Sequence, residues 1–529
     1  MKSSIWKLTG IVLAAMGLRF PLLPLIQFPG INDPNHYYNL ALRLLDGHGF
    51  TMDYLWHFYF APPTLEHPFD FWQPLTGIFA ATGMWLFGEG VAQAIIPFII
   101  TGSLLPIVSY FAAKELDCSE TASLFVAAAA ALLPELLINS LRTDTLIPNA
   151  LFVGLMMLFL VKGLRNGKWW FFVLSGLFAG LAYLTRGDNL LLIPMLIVSL
   201  IAYALWGRKT FVDSKSWKWV ILVPLTALLV ISPWVMRNFQ ALGQWSSTPD
   251  IRILMYFTDF RDHYHYDREF SVDTLLEQQT VQQLINKRIF EGAAAIRMML
   301  DTLDVILPLA IVGGALLILL RWDSQSMLKL IPPVVLLGGM YFSYVVLTPL
   351  SNQGGSFKKS WLTLVPLLLP LAGYALDKVI ENKKLKIGTA IVAILIMLQS
   401  GILFVIEDVR FTNNYVNFLE QIDNTLQTLP DTNGDGNLII MTQDPFALRY
   451  IGYQSVQIPM ESREKILEVA QRYNVDYILF PPARPSLDPI YTGDESDNRF
   501  IFAADVNQTA SLYRFDFDAD GGELENDSP

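Results

Sequence analysis

The stretch FWQPLTGIFAATGMWLFG, residues 71–88, decides the architecture. It is apolar, but it is short and carries Pro74 and Gly77 near its start. A membrane-crossing helix needs roughly 20 apolar residues. Longer apolar runs surround it, at about 11–28, 91–113, 119–135, 145–163, 169–185, 189–206, 217–235, 300–321, 327–348, 359–380 and 386–406. Whether 71–88 also crosses sets the side of every later linker. With an inner N-terminus and no crossing at 71–88, one set of short linkers falls inside. These carry Lys114; Lys162, Arg165 and Lys168; Arg208, Lys209, Lys215 and Lys218; Arg321 and Lys329; and Lys378, Lys383, Lys384 and Lys386. Basic linkers belong on the cytoplasmic side. The reading is therefore that 71–88 lies as a re-entrant or interfacial helix on the outer face, leaving about eleven crossings and an outer C-terminus. The expected fold class is a polytopic α-helical membrane protein with outer juxtamembrane helices and a small C-terminal extracytoplasmic α/β domain.

Composition agrees. The 529 residues are 53% hydrophobic and 16% charged, against about 25% charged in soluble chains. The net charge of −11 is weighted toward the C-terminal end, and no basic nucleic-acid footprint appears. One cysteine, Cys118, excludes an intrachain disulfide and a cysteine metal cluster. The first apolar run is long for a signal peptide, contains Arg19 and lacks a small-x-small cleavage site, so an uncleaved span is expected.

From about residue 408 the sequence turns polar. A helical stretch at 411–427 is followed by strands at 438–441, 475–480 and 510–515, with helices near 445–450 and 461–473. This alternation predicts a small α/β domain. The expected division is 1–407 for the membrane domain, 408–515 for the extracytoplasmic domain and 516–529 for a disordered acidic tail. The turn at 431–436 begins like a calcium loop, but its twelfth position is Thr442 where a glutamate belongs. It reads as an Asx/Gly turn, with calcium the lesser alternative.

The same topology gathers the unusual polar residues on one face, in segments 28–90, 134–144, 185–188, 237–300 and 348–359. Asp33-Pro34 opens an amphipathic helix that includes His36 and Tyr37. Aspartate followed by proline is a common helix start; a carboxylate at an outer leaflet can also take a proton from an acceptor hydroxyl. Asp144, after Arg142, has the same two readings, cap or second acidic residue. Arg19 lies within the first span, where an ionisable group suggests function unless it snorkels. Arg186, Asp188 and Arg237 sit at outer helix ends, where snorkelling or capping is the commoner role. Lys358 and Lys359 follow a glycine pair on the outer side, against the charge rule, and suit a lipid phosphate. All six histidines fall in the two outer loops without a metal-ligand spacing, and read as ordinary polar-loop residues. No cofactor is certain from the sequence; a divalent cation between paired carboxylates stays open.

These stretches resemble a known group. INDPNHYYNLALRLLDGHGF (31–50) is similar to the first-loop signature of the GT-C membrane glycosyltransferases, in particular the branch of dolichyl-phosphate-mannose protein mannosyltransferases and aminoarabinose transferases. WQPLTGIFAATGMWLFG (72–88), LLPELLINSLRTDTLIPNAL (132–151), GLFAGLAYLTRGDNLLLIP (176–194), SPWVMRNFQALG (232–243) and KKSWLTLVPLLLPLAGYAL (358–376) resemble later segments, in order. The resemblance implies a polyprenyl-phosphate sugar donor, inversion at the anomeric carbon, Asp33 as general base and Asp144 as second acid. Lys358 or Lys359 would meet the donor phosphate. Gln73 stands where many relatives carry a basic residue, so Lys358, Lys359, Arg186 or Arg237 would have to compensate. His36, Tyr37 and Gln73 complete the expected substrate-binding set. A Trp-Trp-Asp-Tyr-Gly run is missing, which argues against the oligosaccharyltransferase branch.

The function read from the sequence is transfer of a sugar from a polyprenyl-phosphate donor to a protein, lipid or glycan acceptor hydroxyl at the outer face of the cell membrane. Three rivals are weighed. A transporter or flippase would show repeats and midplane polar sites. A noncatalytic envelope-assembly protein would leave Asp33 facing solvent. A polymer ligase would transfer whole chains.

Overall fold

The computed structural model describes residues 2–207, 212–213, 215–248, 251–303, 306–348, 356–431 and 436–519. Arg208 and Lys209, the Gly354-Gly355 pair, most of the 431–436 turn and the tail beyond 519 lie outside these residues. The chain forms two compact units. The first comprises Met1–Pro29, Asp70–Met255 and Leu276–Val409; the second comprises Gly30–Phe69, Tyr256–Leu275 and Arg410–Pro529.

The first unit is a helical bundle. Among the described residues eight helices are long and apolar enough to cross a membrane: Ser4–Leu25, Val91–Glu115, Leu146–Asn166, Gly187–Gly207, Trp217–Leu242, Ser324–Leu347, Ser356–Val379 and Lys383–Leu426. Shorter apolar helices are Leu75–Phe87, Glu120–Leu132, Trp169–Thr185 and Leu307–Leu320. The protein is thus a multi-pass membrane protein. Leu146–Asn166 and Ser356–Val379 are each 83% buried over their apolar windows, against 11% for Trp217–Leu242, so these two form the centre of the bundle. The expected break between 386–406 and 411–427 is absent: one helix, Lys383–Leu426, runs through it. No proline or glycine follows Gly401 before its end, so nothing stops the helix where the composition changes.

Small residues set the spacing between helices. Gly176 and Gly180, one turn apart, bring Trp169–Thr185 against Leu222–Leu242. A Cβ on Gly176 would meet the Val223 carbonyl oxygen at 2.4 Å, and one on Gly180 the Val230 Cβ at 2.7 Å. Such small-xxx-small pairs let backbones approach where lipid supplies no hydrophobic drive. Arg19 does not snorkel. It is fully buried, with Nε donating to Ser140 Oγ at 2.7 Å, Nη2 to the Ala131 carbonyl at 2.9 Å and Nη1 to the Ala15 carbonyl at 3.2 Å. The helix Glu120–Leu132 stops before Pro134, and Arg19 satisfies a carbonyl at that break.

The second unit holds a five-stranded mixed sheet: β1 (Ile439–Thr442), β2 (Gln454–Gln457), β3 (Tyr477–Phe480), β4 (Phe500–Asn507) and β5 (Ala510–Phe515), in spatial order β2-β1-β3-β5-β4. β1 pairs in parallel with β2 and β3; β5 is antiparallel to both β3 and β4. β1 and β3 are buried at every residue, as parallel strands covered on both faces are. The helix Arg463–Arg472 packs Ile466, Val469 and Ala470 into this core. β2 and β4 were not foreseen. β2 is a short strand of mixed polarity, and β4 is broken by register shifts that blur its alternation. Leu55 extends the β2 edge, its amide donating to Ser455 O at 2.9 Å and its carbonyl accepting from Gln457 N at 2.7 Å.

Candidate active site

Within the bundle, charges gather where four helical segments begin or end. The Asp144 carboxylate precedes the helix Leu146–Asn166. It accepts from the Leu146 amide at 2.9 Å and pairs with Lys359 Nζ at 2.6 Å. Asp144 therefore does bond the first turn of that helix, as a capping residue would. Asp144 is 1% exposed. Burial pushes its carboxyl up, but Lys359, the Leu146 amide and Arg186 hold it below the ordinary value.

Arg186 and Asp188 flank Gly187 in the turn after Trp169–Thr185. Arg186 Nη2 lies 2.8 Å from Asp188 Oδ2, and its Nη1 donates to Thr145 Oγ1 at 3.2 Å. Ser360 Oγ and Tyr344 OH donate to the same Asp188 oxygen at 2.6 and 3.0 Å. Tyr344 sits in a π-helical turn, Phe342–Leu347, that ends its span; such turns re-aim side chains and recur at functional sites. Beneath lies a buried amide relay: Asn189 Nδ2 donates to Asn149 Oδ1 at 2.7 Å, Asn149 Nδ2 to Thr363 Oγ1 at 3.1 Å, and Thr363 to the Lys359 carbonyl at 2.9 Å. The turn and the two central helices are thereby tied together.

Other expected residues fall nearby or apart. Gln73 is 3% exposed, donates to Ser247 Oγ at 3.3 Å and abuts Gly187, so it borders the Arg186–Asp188 turn. Lys358 turns away from Lys359. It pairs with Glu135 at 2.6 Å on the wall of a cavity of about 370 Å³ shared with Arg297, Asp301 and Thr302. Arg237 stacks on Trp234 at 4.8 Å and donates to Asn238 Oδ1 at 3.2 Å.

Asp33, His36 and Tyr37 belong to the second unit. Asn32, with φ 60°, takes the capping position of the helix Asp33–Leu45, and Asp33 stands half-buried in its first turn. Negative charge is favoured there by the helix dipole. His36 Nδ1 lies 2.5 Å from Tyr54 OH, and its ring stacks 5.1 Å from Phe69. Burial, then His57 and His67, hold His36 well below its ordinary pKa, so the imidazole is neutral. Tyr37 is 1% exposed. His57, His67 and His263 are buried as well. The polar-loop reading of the histidines is corrected for these four: they are core residues, because their loops fold into the sheet-bearing unit.

Among the described residues no group of three histidine, cysteine, aspartate or glutamate side chains is placed to hold a metal ion. Asp144 and Asp188 each already bind a protein cation. Sequence reading had marked Asp188 only as a helix end, and it missed Tyr344, Ser360, Asn149, Asn189 and Thr363. The Arg-Gly-Asp spacing at 186–188 was the available signal for Asp188. Nothing in the sequence marks the π turn that delivers Tyr344.

Comparison with known proteins bears on this geometry. Residues 66–236 match the family model of dolichyl-phosphate-mannose-protein mannosyltransferases. No curated protein matches the chain. Among solved structures, ArnT from Cupriavidus metallidurans bound to undecaprenyl phosphate superposes with a TM-score of 0.57 at 14% identity, covering 96% of this chain and 97% of that one. The oligosaccharyltransferase of Archaeoglobus fulgidus in its apo form has a TM-score of 0.57 at 13% identity, covering 97% and 75%. The oligosaccharyltransferase AglB of Archaeoglobus fulgidus in complex with an inhibitory peptide and a dolichol-phosphate has 0.57 at 12%, covering 98% and 75%. Asp144, Arg186 and Asp188 lie inside the family match, which spans about a third of the chain, and the fold as a whole is similar to that of these solved structures.

Proposed function

We propose that the protein transfers a sugar from a polyprenyl-phosphate donor to an acceptor hydroxyl at the outer face of the cell membrane, with inversion. The observation that carries this reading is the buried charge cluster of Lys359–Asp144 and Arg186–Asp188 at one end of the bundle. ArnT and AglB were solved with undecaprenyl phosphate and dolichol-phosphate, and the same donor class suits this chain. Lys359 and Arg186 stabilise the charge that develops on the departing phosphate, as fixed cations in a water-poor site do. Tyr344, Ser360 and the amide relay hold them in place without a reorganisation cost. Gln73 orders the turn from the side. Lys358 and Arg237 extend the donor-binding set, and His36 and Tyr37 support the helix that presents Asp33. Asp33 removes or aligns the proton of the acceptor hydroxyl for in-line attack on the anomeric carbon.

The topology proposed with it has eleven crossings, the eight long helices plus Glu120–Leu132, Trp169–Thr185 and Leu307–Leu320, with Leu75–Phe87 held at the outer face. The N-terminus is cytoplasmic. The catalytic reading is tested by Asp33→Asn. Transfer from a radiolabelled polyprenyl-phosphate sugar is expected to fall by at least about a hundredfold, the usual worth of a general base, while membrane expression persists. Wild-type transfer by that variant would refute the assignment.

A further inference from the structure

A second cavity lies far from the charge cluster, in the same unit. It is an apolar groove of about 460 Å³ between the helices Glu120–Leu132, Leu307–Leu320, Ser356–Val379 and Lys383–Leu426. It exists because the facing side chains are small: Ala372 and Ala375 on one helix, Ala390 and Ala393 on another. At one end it is lined by Val379 and Ile380, next to the turn that joins these two helices. Lys359 and Lys378 are separated along one helix by about 28 Å at 1.5 Å per residue, so this end of the groove lies at the end of the bundle remote from Asp144.

Lys383 and Lys384, just beyond Ile380 in the chain, are exposed, whereas Lys378 lies over the Tyr374 ring, 5.2 Å from its centroid. The opposing carboxylates are Asp377 and Glu381. Asp377 is held by Lys386 Nζ at 2.7 Å and by Ser119 Oγ at 2.6 Å. The N-terminus of the helix Lys383–Leu426 adds the positive end of its dipole at the same place. An apolar slot within the membrane-spanning helices, ending next to the exposed Lys383 and Lys384, suits an acyl chain below a phosphate.

We propose that this groove is a binding site for one anionic phospholipid, its acyl chain along the alanine floor and its phosphate beside Lys383 and Lys384. The site is separate from the donor site and does not depend on the proposed reaction. The test uses full-length protein in neutral detergent, loaded from micelles containing phosphatidylglycerol and phosphatidylcholine of equal chain length, with retained lipid counted by native mass spectrometry. Wild-type protein is expected to hold one phosphatidylglycerol in preference to phosphatidylcholine. Lys383→Gln with Lys384→Gln, both on the exposed surface, should cut that preference about tenfold, given the attraction of each near-membrane lysine for anionic lipid. Ala393→Trp should fill the groove and reduce retention of both lipids; if that variant fails to fold, the lysine pair still decides. Equal retention of the two lipids by wild-type protein, or an unchanged preference in the lysine variant, would overturn the proposal. So would displacement of the retained lipid by undecaprenyl phosphate, which would make the groove a polyprenyl-tail site.

Discussion

Two neighbouring lysines have different fates because successive residues on a helix point about 100° apart. Lys359 faces Asp144 in the bundle interior, while Lys358 faces Glu135 at a cavity wall. That a basic pair meets an acidic loop was legible in the sequence; which lysine meets which acid was not, because it depends on the rotation of one helix. The consequence is measurable. Lys359→Gln strands a buried carboxylate, and breaking such a pair costs about 3 kcal/mol or more. We expect a clear loss of thermal stability in detergent, largely restored when Asp144→Asn is added. Lys358→Gln should cost under about 1 kcal/mol, as half-exposed pairs do. Equal losses for the two lysines would show that the Asp144 pair is not the buried one. His263 offers a pH test. Burial, then His57, lowers its pKa from 6.5 to about 3. Below pH 6.5 the unfolded chain takes up a proton that the fold refuses. Stability from this residue is thus complete above that pH and is lost as pH falls toward 3, by up to about 1.4 kcal/mol per unit. His263→Gln should flatten the fall between pH 6.5 and 5 in urea unfolding of the full chain; an unchanged slope would show that His263 does not stay neutral in the fold.

At the scale of the element, apolar run lengths were enough to locate the membrane helices, because hydropathy alone dictates where a helix can sit in lipid. What they could not convey is which helices touch. That is written in a few small residues. A side chain at Gly176 would strike a backbone carbonyl, which cannot swing aside. We therefore expect Gly176→Leu to separate Trp169–Thr185 from its neighbour at a cost of about 1–3 kcal/mol, the range for overpacking. It should also loosen the Arg186–Asp188 turn that follows. Gly17 has open space around it, and Gly17→Ala should be neutral or stabilising by up to about 1 kcal/mol. Thermal midpoints of the two variants measure the contrast; similar shifts would mean that the glycine contact is not what sets helix spacing. The sheet tells the opposite story. β1, β3 and β5 announce themselves as apolar runs, whereas Leu55 joins the β2 edge from four hundred residues upstream. No local pattern carries a pairing of that range.

For the molecule as a whole the open quantity is the number of crossings, and it returns to residues 71–88. The helix found there, Leu75–Phe87, has 13 residues, about 20 Å at 1.5 Å per residue, short of a hydrocarbon core of about 30 Å. The helix Glu120–Leu132 also has 13 residues, so length alone does not separate a crossing helix from an interfacial one; the basic linkers are what favour Leu75–Phe87 staying at the outer face. Cys118 makes the question easy to settle. It is the one cysteine of the chain, it is 5% exposed, and burial, then Asp377, push its thiol up to about 12. Only the thiolate reacts readily, so native protein should be silent to a membrane-impermeant maleimide at neutral pH. Single cysteines placed at Lys168 and Asp494 then report their own side. With eleven crossings and an inner N-terminus, intact cells should label Asp494→Cys and leave Lys168→Cys unlabelled until the membrane is permeabilised. If Leu75–Phe87 crosses, both answers invert together. The paired reversal separates a wrong crossing count from a cysteine that is merely inaccessible, since inaccessibility silences one site and cannot switch on the other.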